Sequence, residues 1–257
     1  MSGPERPVGL VTGALSGIGA ATAVAFAAEG AHLVLVDRSP DAGNVADEVR
    51  AAGGNGVVVE ANVRDAGAMQ RAVEIGLDAF GRIDFVVANA GIADQSTIAD
   101  GDPERWRAVV ETNVLGVLFT VRAALPTMIE ARRGHIFIVA SISGRETYVG
   151  EPAYIASKWG QVGFGHALRE EVRDAGIRVT LVEPGIVDTP LTRNSPAVRP
   201  LLEAVEPLQA ADVARAIVFA YSQPEHVVVS ELAVRPLRQV KPDFGPEPSS
   251  AATVATT

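Results

Sequence analysis

Short runs of Val, Ile and Leu alternate along the chain with longer stretches of mixed apolar and polar residues. VGLVT (8–12), HLVLV (32–36), GVVVE (56–60), IDFVV (83–87) and HIFIV (135–139) have strand length and are nearly continuous in apolar residues. Such runs suit strands covered on both faces, where neither side of the pleat meets water. Between them, residues 18–29, 40–52, 65–80 and 103–131 have helical length, and Gly30, Gly53 and Gly81 stand just past three of the ends. Glycine stops a helix there because it enters the left-handed region without a Cβ penalty. The pattern continues with a helix over 153–175, a strand IRVTLV (177–182), a helix near 211–221 and a last strand VVVSELAV (227–234). Repeated strand–helix units predict parallel strands, right-handed crossovers and helices on both faces of one sheet. No linker or repeat interrupts residues 1–240, which read as a single domain. Residues 241–257, KPDFGPEPSSAATVATT, are rich in Pro, Ser, Ala and Thr and are expected to form a mobile tail.

Composition narrows the classes. A chain of 257 residues, 47% of them hydrophobic, can bury a full core. The net charge of −9 argues against nucleic acid and anionic membranes as partners, because phosphate binding needs a basic patch. The absence of Cys excludes disulfides and thiolate metal sites. His32, His135, His166 and His226 are scattered without acidic partners at metal spacing, so no metal site is expected. The opening MSGPERPVGLV has no signal-like apolar region, and no apolar run reaches the roughly 18 residues needed to cross a bilayer. A cytoplasmic protein is the resulting expectation.

Two stretches carry candidate chemistry. TGALSGIG (12–19) follows the first strand and opens the first helix. Gly13, Gly17 and Gly19 suit a tight turn and a close ligand, with Ser16 and Ile18 between them at the helix start. A helix N-terminus offers free N–H groups and partial positive charge to a pyrophosphate. The spacing is G-x3-G-x-G, which differs from the G-x-G-x-x-G dinucleotide fingerprint. Asp37, about 20 residues on, can accept hydrogen bonds from an adenosine ribose and repels a 2′-phosphate. Arg38 beside it can hold that phosphate, so NADP stays open while NAD is favoured. The second stretch, AYIASKWG (153–160), sets Tyr154 and Lys158 one helical turn apart on one face. A nearby ammonium favours phenolate over phenol, which would let a Tyr exchange a proton near neutral pH. Taken alone, this spacing occurs by chance in many helices.

Together, TGALSGIG, NAG (89–91), Asn113, Ser141, Tyr154/Lys158 and PGIVDT (184–189) resemble the short-chain dehydrogenase/reductase family in order and spacing. The resemblance runs from Val8 to about Val240. It implies an α/β Rossmann-type, doubly wound fold with a seven-stranded parallel sheet, and a nicotinamide cofactor. It also implies an active site of Asn113, Ser141, Tyr154 and Lys158. In that reading Ser141 holds a substrate oxygen, Tyr154 exchanges its proton, and Lys158 favours the phenolate and binds the nicotinamide ribose. Asn113 holds a water in a relay to Lys158. Asn89, Ala90 and Gly91 let the adenosine side pass, Pro184 and Gly185 turn under the nicotinamide, and Val187 and Thr189 hold its carboxamide. Asn62, before Val63, stands where the family usually has Asp, with altered adenine contact the expected result. Residues about 190–208 would form a substrate lid, and SELAVRPLRQ resembles a subset ending in R-P-x-x-Q. The activity implied is hydride transfer between NAD(H) and a small secondary alcohol or ketone, by a homotetramer or homodimer. The alternatives are an NADP-dependent carbonyl reductase and a dinucleotide-binding regulator without turnover.

Overall fold

The computed structural model describes residues 6–39 and 44–244. Among the described residues nine strands form: β1 (Val8–Thr12), β2 (His32–Asp37), β3 (Gly56–Glu60), β4 (Phe85–Ala88), β5 (Gly134–Val139), β6 (Ile177–Pro184), β7 (Val187–Asp188), β8 (Leu208–Gln209) and β9 (Glu231–Val234). Seven of them make one parallel sheet in the order β3-β2-β1-β4-β5-β6-β9, and β7 pairs with β8 apart from it. The helices are α1 (Gly17–Ala28), α2 (Val45–Ala51), α3 (Ala66–Phe80), α4 (Pro103–Val110), α5 (Gly116–Ala131), α6 (Pro152–Val172), α7 (Pro190–Arg193), α8 (Arg199–Ala204) and α9 (Ala210–Tyr221).

β1, β2, β4, β5 and β6 are buried on both faces, as their composition predicts, whereas the GVVVE run forms the edge strand β3 and leaves Val58 exposed. One core holds Met69 and Ala72 of α3, Val117 and Val121 of α5 and Leu168 of α6 against the sheet. The other holds Phe26 of α1, Val49 of α2 and Ile217 of α9. Phe26 stacks on Phe85 of β4 with ring centroids 4.1 Å apart. The strand order reverses between β1 and β4, which opens a crevice at the carboxyl ends of the strands.

Several boundaries differ from those read in the sequence. The helix expected over 40–52 begins at Val45, and residues 40–43 lie outside those described. The helix expected over 103–131 contains a π turn at Glu111–Leu115. It is also long and apolar enough, by length and composition alone, to cross a membrane, although charged residues interrupt its apolar runs. In the fold α5 lies on the sheet instead, with Val121, Ala124 and Met128 in the core. The last strand pairs only from Glu231. Upstream of it, Arg178 and Thr180 side chains take the carbonyls of Val227 and Val229. Of the expected tail, residues 241–244 are described. Phe244 donates its N–H to the Val149 carbonyl and packs edge-on against Tyr148. Residues 245–257 lie outside those described.

Candidate active site

The β1–α1 turn is braced from β4. Thr12 Oγ1 accepts from the N–H groups of Asn89 (3.0 Å) and Ala90 (3.1 Å), and Asn89 Nδ2 donates to the Thr12 and Gly13 carbonyls. Gly13 and Gly17 have φ of 62° and 51°, a region that favours glycine. A Cβ on Gly19 would stand 2.1 Å from the Gly13 carbonyl oxygen, so only glycine lets α1 begin this close to the turn. Ser16 caps α1 in extended backbone but makes no side-chain cap bond, and the first turn carries no acidic residue. The exposed Ser16 hydroxyl and free helix N–H groups therefore face an anion-binding cradle. Thr12 went unnoticed in the sequence because nothing marks it except its place at a strand end.

Asp37 closes the mouth of this turn. Its carboxylate accepts from Leu15 N (3.2 Å) and Arg38 N (2.8 Å), while the Arg38 side chain is exposed. Asn62 is exposed past β3 and accepts from Arg64 N, and Val63 turns inward to the core. A crevice of about 190 Å³ brings together Gly13, Ser16, Gly17 and Ile18 of the turn with Asn89, Ala90 and Gly91. Ser141, Tyr154 and Lys158 line its inner end, and Pro184, Gly185, Val187 and Thr189 line the opposite wall. Gly19, Asp37, Arg38, Asn62, Val63 and Asn113 are not on this lining.

Asn113 is fully buried in the π turn. Its side chain bonds both backbone groups of Ile92 and donates to Ser157 Oγ. The widened turn leaves its carbonyl free to accept from Gln161 Nε2 (2.7 Å), and Gln161 Oε1 accepts from Lys158 Nζ (2.9 Å). The Gln161 amide thus joins the Asn113 backbone to Lys158 directly. Lys158 Nζ also donates to the Val139 carbonyl and lies 5.6 Å from the Tyr154 ring centroid.

Burial decides the titration of this pair. Lys158 is 5% exposed, and desolvation pulls its amine down to about 7. Tyr154 moves the other way from the sequence expectation. Burial and the Glu151 carboxylate push its phenol up, and hydrogen bonding with Ser141 only partly opposes them. The expected phenolate-favouring cation does not dominate, because Lys158 carries full charge only below about pH 7.

A hydroxyl chain leads away from Ser141. Ser141 Oγ lies 3.1 Å from Ser143 Oγ, Ser143 Oγ 2.6 Å from Tyr148 Oη, and Tyr148 Oη 2.8 Å from Glu151. An ionised carboxylate only accepts, so Tyr148 donates to Glu151. Each hydroxyl has one proton, so Ser143 then donates to Tyr148 and Ser141 to Ser143. Beyond Glu151, Gln95 Nε2 donates to the carboxylate, and Ser195 Oγ donates to Gln95 Oε1 (3.0 Å). These groups border a second cavity, of about 90 Å³, reached past Ser141 and Tyr154. Leu191 and Leu201 form an apolar wall opposite. Gln239, of the R-P-x-x-Q stretch, accepts from Ile186 N and steadies the Pro184–Gly185 turn. Arg235 of the same stretch pairs with Glu146. Thr189 caps α7 through a reciprocal bond with Thr192.

The arrangement can hold an oxygen between two hydroxyls beside a cradle suited to a dinucleotide. Comparisons with known proteins identify the family. The family model for short chain dehydrogenases matches residues 7–199. An uncharacterized oxidoreductase of Staphylococcus saprophyticus is 37% identical over 91% of this chain and 98% of its own. A metagenomic short-chain oxidoreductase solved in complex with NADP is 32% identical, with a TM-score of 0.77 over 90% of this chain and 96% of that one. A Mycobacterium paratuberculosis short chain dehydrogenase bound to NAD is 29% identical, with a TM-score of 0.80 over 90% and 97%.

Proposed function

The chain belongs to the short chain dehydrogenase family of oxidoreductases, and from that premise we propose that it interconverts a small secondary alcohol and a ketone using NAD(H). The observation that carries this reading is the meeting of Ser141, Tyr154 and Lys158 at the inner end of the glycine-turn crevice. Gly13, Gly17, Gly19, the uncapped Ser16 and the α1 N-terminus would hold the pyrophosphate, and Asp37 the adenosine ribose. Once bound, the nicotinamide exchanges a hydride, two electrons with one hydrogen nucleus, with the carbinol carbon. Ser141 positions the substrate oxygen, its hydroxyl proton turning from Ser143 to a carbonyl oxygen when a ketone is bound. Tyr154 gives its proton to the carbonyl oxygen during reduction and regains the hydroxyl proton during oxidation, for which the neutral Lys158 amine first draws the phenol proton off. Lys158, held by Gln161 and Val139, supplies an amine that titrates near neutral pH beside the phenol.

Tyr154→Phe tests the proton role. Turnover of sec-butanol should fall by about 10²–10⁴-fold while NAD affinity measured by calorimetry stays within a few-fold. Undiminished turnover overturns the assignment, and tight NADH binding without turnover in the wild type favours a regulator instead. Asp37→Ala tests the cofactor. Loss of a carboxylate facing a 2′-phosphate should raise NADP affinity relative to NAD by about tenfold. A wild type that already prefers NADP would make the exposed Arg38 the group that reads the nucleotide.

A further inference from the structure

Glu151 is the least expected side chain of the inner cavity. It is 3% exposed, and none of the residues lining that cavity is basic. Its carboxylate has two partners, Gln95 Nε2 and Tyr148 Oη, and a carboxylate offers about four lone-pair sites. A buried charge paired with no cation is costly unless further donors reach it. Burial pushes the Glu151 carboxyl up, the Gln95 and Tyr148 bonds oppose this, and nearby Asp94, paired with Arg105 at 3.8 Å, adds to it. Glu151 stands at the N-cap position of α6 without a side-chain cap bond, and Tyr154 is the third residue of that helix. Both border the cavity, whose other wall is apolar.

We propose that Glu151 is a specificity-determining residue that selects substrates carrying a hydroxyl or an ammonium group one or two carbons from the reacting carbon. The inference rests on the redox reading of Tyr154 and names its substrate class: small vicinal diols and amino alcohols, with the matching hydroxy- or amino-ketones. With the reacting oxygen at Ser141 and Tyr154, the second group of such a molecule reaches the carboxylate and fills an unused lone pair. A carboxylate or phosphate in its place meets Glu151 with like charge, and no basic residue lines the cavity to offset it. The apolar wall covers the remaining carbon skeleton, and a cavity of about 90 Å³ admits only a short one.

Four compounds of one skeleton test this: sec-butanol, propylene glycol, isopropanolamine and lactate, each with NAD as oxidant. The ratio of kcat/KM values is the readout. Wild type should favour the diol and the amino alcohol over sec-butanol by at least about tenfold, with lactate last. Glu151→Gln should erase most of the advantage of the ammonium compound over the diol, and Glu151→Leu the advantage of both. Unchanged ratios in Glu151→Leu, or lactate as the best substrate, overturn the proposal. Calorimetric titration of isopropanolamine into each folded variant supplies a readout without turnover. Binding that depends on Glu151 with no turnover of any compound sinks the redox reading and keeps the selectivity. Equal turnover of all four does the reverse, and neither binding nor turnover sinks both.

Discussion

Strand β5 has a buried base at each end. His135, its second residue, is fully buried at the amino end, and Lys158 reaches the carbonyl of Val139, its last residue, at the other. Burial lowers both, His135 to about 2 and Lys158 to about 7, with Arg178 adding to the effect on His135. The surroundings separate them. Thr180 donates its one proton to the Val229 carbonyl, so His135 must donate Nε2–H to Thr180, and Nδ1 is left without a partner. Phe137 stacks on the imidazole at 3.9 Å. The nearby cavity is the wider one, about 740 Å³, yet its charged groups serve the fold. Arg178 holds the Tyr221 and Gln223 carbonyls past α9, and Asp84 takes Val8 N together with Arg82 and Arg133. A strongly perturbed base beside the wider cavity is therefore a by-product of burial. At the other end the perturbed base lines a crevice with two hydroxyls that can reach a ligand, and that geometry makes a functional reading possible.

Replacing Lys158 by Met breaks the comparison most forcefully. Between about pH 7 and 10.5 the unfolded chain holds a proton that the folded amine has released, so stability from this group rises with pH across that window. The wild type should gain on the order of 4 kcal/mol relative to Lys158→Met over the window in urea denaturation, and turnover of the variant should collapse. Parallel stability curves would mean that the amine is not held as described. His135→Phe acts in the opposite window. The folded imidazole stays neutral while the unfolded one charges below pH 6.5, so its contribution is intact above 6.5 and is lost as pH falls toward 2. Between pH 6.5 and about 5 the wild type should lose on the order of 2 kcal/mol more than His135→Phe. Turnover at neutral pH should follow the wild type, and a large loss would mean that the amino end takes part in the reaction.

The two ends were unequally legible in the sequence. Apolar runs located the sheet because strands buried on both faces leave few other compositions possible. Tyr154 and Lys158 were legible because helical spacing is local, and Gly13, Gly17 and Gly19 because backbone strain leaves a sequence mark. Glu151, Gln95 and Tyr148 carry no such mark. Gln95 and Glu151 are 56 positions apart, and their contact exists only once α6 docks beside the loop after β4. Gln161 carries no mark either, since the carbonyl it binds is freed only by the π turn at Asn113. The direction of the Tyr154 shift was missed for a related reason. Spacing predicts a neighbour, whereas desolvation depends on everything packed around it.

A paired substitution sharpens the comparison with the smallest effects. Thr180→Val removes the acceptor of His135 Nε2–H, and Gln161→Met removes one acceptor of Lys158 Nζ. Each also strips a backbone carbonyl of its donor, Val229 in one case and Asn113 in the other. The cost in stability should be similar, about 1–2 kcal/mol by urea denaturation, because each leaves buried polar groups unpaired. The pH dependence of turnover should differ. An ammonium that loses an acceptor is harder to charge, so Lys158 should titrate lower in Gln161→Met, and the limb of the profile it controls should move toward acid by about half a unit. Thr180→Val should leave the profile where it was, since Thr180 bonds a base that stays neutral across the working range. A shift in both variants would show that the ends of β5 are electrostatically joined, and a shift in neither would show that Lys158 does not set the profile.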